Sequence, residues 1–61
     1  MAIRKGKRVR YIGKNELAQG KTFQVLQKIQ GSVVVCFPIK YLDGSVHGQI
    51  CAIPIEDFEE I

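Results

Sequence analysis

Apolar and polar residues alternate with a period of two along most of this chain. Val33, Val35, Phe37, Ile39 and Tyr41 fall on one side of the longest such run. A shorter run sets Val9 and Tyr11 on one face and Arg8, Arg10 and Ile12 on the other. A third, Thr22 to Ile29, carries Phe23, Val25 and Ile29 on one face. No stretch sustains the period of an amphipathic helix. Turn signals recur about every ten residues, at Gly13, Gly20, Gly31, Gly44 and Pro54, the spacing of short strands in a sandwich or small barrel.

Five strands are predicted, over residues 7–12, 22–29, 33–41, 46–53 and 58–61. A polar loop, Gly13 to Gly20, follows the first, with Leu17 and Ala18 as its apolar anchors. Asp43-Gly44 predicts a two-residue type I′ hairpin. That turn pairs Leu42 with Ser45, Tyr41 with Val46, Ile39 with Gly48, Phe37 with Ile50 and Val35 with Ala52. Apolar then meets apolar at almost every step, whereas a slip of one sets Phe37 against Gln49. A three-residue loop, Gln30 to Ser32, pairs Ile29 with Val33, Val25 with Phe37 and Phe23 with Ile39. Pro38 interrupts the third strand, where a bulge is expected. Pro54 ends the fourth, because proline donates nothing to a ladder. Pro54 to Asp57 reads as one short 3₁₀ turn before the last strand.

The chain has 61 residues, enough for one domain that buries only about 60% of its unfolded surface. Residues 1–6 read as a flexible basic arm. The hydrophobic fraction, 46%, is globular. No apolar run is long enough for a membrane span, and no signal-peptide core follows the basic N-terminus. The expected location is therefore cytoplasmic, with Cys36 and Cys51 reduced. The net charge of +3 is unevenly spread. Arg4, Lys5, Lys7, Arg8, Arg10 and Lys14 precede any acid, while Glu56, Asp57, Glu59 and Glu60 close the chain without a base.

The order of strand, long polar loop, three-strand meander, 3₁₀ turn and short last strand resembles an SH3-like barrel of five strands. Gly6-Lys7-Arg8-Val9-Arg10-Tyr11-Ile12 also resembles the opening strand of the KOW motif of ribosomal and transcription proteins. Gly20-Lys21, followed by Val25 and Ile29, is similar to that motif's glycine and second strand. Ile53 to Ile61 looks like the closing strand of such barrels. The resemblance implies a binding module, on nucleic acid or in a protein complex. Barrels of this kind also serve as docking subunits, including in photosynthetic electron-transfer complexes.

Nothing in the residues points to catalysis. His47 is the only histidine, and the predicted register puts it on the outer face opposite Lys40, without a nucleophile. No phosphate loop or dinucleotide fingerprint occurs. A metal site would require His47, Cys36 and Cys51 to converge with a further ligand. Neither metal nor cofactor is expected.

Two surfaces are candidates. The first is basic: Arg8 and Arg10 share a strand face, Lys14 and Lys21 flank the loop, and Arg4 and Lys5 lie in the arm. These groups suit phosphates of nucleic acid or a nucleoprotein complex. The competing reading is that Arg8 and Arg10 face Glu59 and Glu60 across adjacent first and last strands. Base stacking is not indicated, since Tyr11 and Tyr41 both point inward by phase. The second surface is apolar: the predicted register sets Cys36 opposite Cys51 and Val34 opposite Ile53 on the outer face, with Leu26 beside them. Such a patch suits docking into a larger protein complex or a homodimer. The alternative is that neighbouring elements cover it and the thiols act as buried hydrophobes. The two surfaces are separable: covered arginines with an open patch favour docking, and the reverse favours phosphate binding.

Overall fold

The computed structural model describes residues 3–61. It is all-β, with six strands and one 3₁₀ turn. The strands are β1 (Arg8–Tyr11), β2 (Thr22–Gln24), β3 (Gln27–Ile29), β4 (Ser32–Lys40), β5 (Val46–Pro54) and β6 (Phe58–Glu60). The 3₁₀ turn, η1, is Ile55–Asp57. They form two three-stranded antiparallel sheets, ordered β2-β1-β6 and β3-β4-β5. No helix among the described residues is long and apolar enough to cross a membrane.

The sixth strand arises because the predicted second strand divides between the sheets. Val25 still bonds the first sheet: its N–H donates to the Lys7 carbonyl, and its carbonyl accepts from Gly6 N–H, both at 2.8 Å. Leu26 N–H instead donates to the Val34 carbonyl of the second sheet at 2.8 Å. The chain turns the corner between the two layers there. The first and last strands are neighbours, as expected, with Arg10 opposite Glu59 and Tyr11 opposite Phe58. The 3₁₀ turn lies where Pro54 predicts it.

Side chains from both sheets meet in one core. Val9, Tyr11, Val25, Val33, Val35, Phe37 and Phe58 are buried there, with Ile3 and Ala18. Tyr11 packs edge-on to Phe37 and Phe58 at centroid distances of 5.2 and 5.6 Å, and Phe23 stacks on Phe37 at 5.6 Å. Such aromatic pairs add to their area burial by about 0.5–1.5 kcal/mol each. Ile3 joins this core from the N-terminal segment. Arg4, Lys5 and Gly6 beside it are exposed, and the Lys7 N–H donates to the Arg4 carbonyl at 3.0 Å. Residues 1 and 2 lie outside the described residues.

Both predicted hairpin registers are off by one. Phe37 faces Gln49, Cys36 faces Ile50 and Val35 faces Cys51. The cause is the turn. Gly44 N–H donates to the Tyr41 carbonyl (2.9 Å), and Tyr41 N–H donates to the Ser45 carbonyl (2.8 Å). Gly44 has φ +89°, while no non-glycine residue among those described has positive φ. Leu42 and Asp43 therefore make a type I turn, and Gly44 follows as a bulge residue, which is a three-residue loop. At the other hairpin the loop has two residues, so Ile29 faces Ser32 instead of Val33. Each slip exchanges the two faces of a strand.

Pro38 causes no bulge, because the ladder runs unbroken from Ser32 to Lys40. Tyr41 sets the hydrogen-bonding phase, so even-numbered residues of β4 aim their backbone away from β5. Pro38 is one of them, and β3 pairs only as far as Val34. The missing N–H thus falls where no strand would accept it.

Candidate functional site

The basic residues are exposed, except for half-buried Lys7, but they do not form one free surface. Arg10 Nη1 donates to Glu59 Oε2 at 3.2 Å, an ion pair in which both side chains are nearly half exposed. Arg8 Nη2 donates to Thr22 Oγ1 at 3.0 Å. The expected pairing of Arg8 and Arg10 with Glu59 and Glu60 therefore holds for Arg10 and Glu59 alone. Glu60 stands opposite Val9. Lys21 precedes Thr22, so strand alternation turns it from the face that Arg10 shares with Thr22. Arg4, Lys5 and Lys14 remain exposed on the segments flanking β1.

The loop between β1 and β2 is a folded element. Asn15 Oδ1 accepts from Leu17 N–H at 2.9 Å, and the Asn15 carbonyl accepts from the N–H groups of Ala18 and Gln19 at 3.0 Å. Ala18 is fully buried and Leu17 half-buried, as their apolar character predicts.

The outer face of the β3-β4-β5 sheet is apolar, with a different membership from the one expected. Val34 and Cys36 lie on it, and exposed Leu26 adjoins Val34 through their backbone bond. Cys51 and Ile53 do not. They face Val35 and Val33 on the inner side and pack partly against the core. Their outer places are taken by Ala52, opposite Val34, and Ile50, opposite Cys36. Val46 and Ile29 complete the face, and Ile50 is 62% exposed and Ile29 49%. Cys36 is exposed and Cys51 half-buried, on opposite faces, so a cross-strand disulfide between them is not available.

Beyond the end of β3, β4 and β5 pair only with each other and project as a ribbon. The molecule measures 39 × 18 × 16 Å. Tyr41 keeps the core-side phase of Phe37 and Ile39, but it lies at the ribbon's end, past the core, and is 47% exposed. Its ring sits 4.4 Å from the His47 ring, centroid to centroid. His47 stands opposite Ile39, not Lys40.

No family model, no curated protein and no solved structure matches the chain.

One constellation escaped the sequence. Ser45 Oγ donates to Asp43 Oδ1 at 2.6 Å and lies 2.8 Å from His47 Nε2. Ser45 N–H also donates to Asp43 Oδ1, at 2.9 Å. These bonds hold the Asp43 carboxyl below the usual carboxylate range. With its one proton given to Asp43, Ser45 can only accept from His47 Nε2–H. The order is therefore acid–serine–histidine, with histidine at the wrong end to deprotonate the hydroxyl. The chain of bonds braces the turn, and the Asp43-Gly44-Ser45 sequence was its available signal. Among the described residues no three His, Cys, Asp or Glu side chains gather as metal ligands.

Proposed function

We propose that this protein is a non-enzymatic docking module that applies the outer face of its β3-β4-β5 sheet to a protein partner. The observation carrying this reading is the pairing of opposites: Arg10 is engaged by Glu59, while Ile29, Cys36, Val46 and Ile50 stand open on one sheet face. Lys40 is the only charged residue on that face of β4 or β5. An apolar face rimmed by polar residues suits a protein surface better than a phosphate backbone. The two layers are read as an SH3-like barrel. Supporting this are the chain's switch of sheets at Val25–Leu26, the meander and the 3₁₀ turn before β6.

The test is Cys36→Asp, which places a charge at the centre of the face without touching the core. A partner retained by the wild-type protein from nuclease-treated native lysate should be lost with the variant. Retention of the same partner would contradict the assignment of this face.

A second reading has its own observation. The exposed Tyr41–His47 pair would suit an unstacked base, with Arg4, Lys5, Lys14 and Lys21 as cations for phosphates. It predicts salt-dependent binding of a short single-stranded RNA that weakens on Tyr41→Ala.

A further inference from the structure

An unpaired sheet edge is a template for another strand. The two sheets offer four edges, and three are short. β2 has three residues; β3 has three, including Lys28; β6 has three, including Glu59 and Glu60. β5 has nine, and none is charged. It lacks the lysines, internal prolines and bulges that usually blunt a long edge.

The backbone groups facing that edge follow from the hairpin. Tyr41 N–H bonds the Ser45 carbonyl at one end of the ladder, and Ile55 N–H bonds the Gly31 carbonyl at the other. Hydrogen-bonding direction alternates along an antiparallel strand. His47, Gln49, Cys51 and Ile53 therefore bond β4. Val46, Gly48, Ile50 and Ala52 aim N–H and C=O outward. Among the described residues, no backbone bond outside the ladder uses any of these four.

We propose that two copies of this chain pair antiparallel along β5, about a two-fold axis at Gln49. The outward groups choose both occupant and register. With the axis at Gln49, Val46 faces Ala52 of the second copy and Gly48 faces its Ile50, so all four outward residues are paired. With the axis at Gly48, Ala52 would face Gly44 in the turn. With the axis at Ile50, Val46 would face Pro54, which has no N–H. An uncharged strand also meets its own copy without like-charge repulsion, which β6 could not do. The interface is isologous, as a closed dimer requires. It joins two outer faces into one six-stranded surface and stands whether or not that surface docks a further protein.

Sedimentation analysis over a concentration series tests the proposal. The wild-type protein should reach twice the chain mass at high micromolar concentration. Ile50→Pro removes only an outward N–H, so the hairpin should fold and the protein should sediment as a monomer. Should circular dichroism show Ile50→Pro unfolded, Ile50→Lys is judged by the same criterion. Gln49→Cys, in a Cys36→Ser, Cys51→Ala background, should form a covalent dimer with oxidised glutathione. A non-hydrogen-bonded pair on the axis brings its Cα atoms to about 4.5 Å. A wild-type monomer at every concentration would overturn the proposal. So would a dimer that survives in the folded position-50 variant, or one that Gln49→Cys does not cross-link.

Discussion

Tyr11 does three things at once. Its ring edges meet Phe37 and Phe58 in the core, and its hydroxyl accepts the Asn15 N–H at 3.2 Å. The chain then passes directly over the ring at Gly13, where a Cβ would overlap the phenol and approach the Asp57 carboxyl at 3.0 Å. Gly13 is needed for that close approach. Gly13→Ala should therefore cost about 1–3 kcal/mol, the usual penalty of overpacking, read as a lower denaturant midpoint. Arg10→Ala should cost less than about 1 kcal/mol, since its ion pair with Glu59 is exposed and screened. A larger loss from Arg10→Ala than from Gly13→Ala would mean that the charged strands, not the aromatic core, hold the sheets together.

At the scale of elements, composition and pattern went far. The β1–β6 pairing was legible from the position of the 3₁₀ turn and the short last run. The anchors Leu17 and Ala18 were legible because a polar loop has little else to bury. Register was not legible, for a physical reason. Asp43-Gly44 serves a two-residue type I′ loop or a three-residue type I loop, since Gly44 takes positive φ in both. The loops differ in the φ of Asp43 and in the bonds of its side chain. Moreover, β5 has two apolar sets, Val46, Ile50 and Ala52 on one face and Cys51 and Ile53 on the other. Matching apolar to apolar could not say which set faces the core. The Asp43 carboxylate helps decide the turn, because its two bonds from Ser45 favour the ionised form. Asp43 is held below its usual value, so its contribution is complete above 3.8 and fades as pH falls through the lower folded value. In an NMR titration, Ser45→Ala should move the Asp43 midpoint up toward 3.8. An unmoved midpoint would remove the Ser45 hydroxyl as the leading cause.

The whole molecule is longer than its size requires. Its radius of gyration is 11.3 Å, against about 10.5 Å for a compact domain of this length. The excess lies in the β4–β5 ribbon, whose far end runs past the core and carries the Tyr41–His47 pair, with the open face and the free edge along its length. The apolar candidate surface changed membership when the register moved. Cys51 and Ile53 went inward, and Ile50 and Val46 came out. The functional reading rests on that single shift. Residue-resolved amide exchange in dilute solution tests it most directly. On β4, Val35, Phe37 and Ile39 should exchange slowly, and Cys36 and Lys40 fast. The opposite alternation, with Cys36 and Lys40 protected and Val35, Phe37 and Ile39 open, would contradict the register and the face built on it.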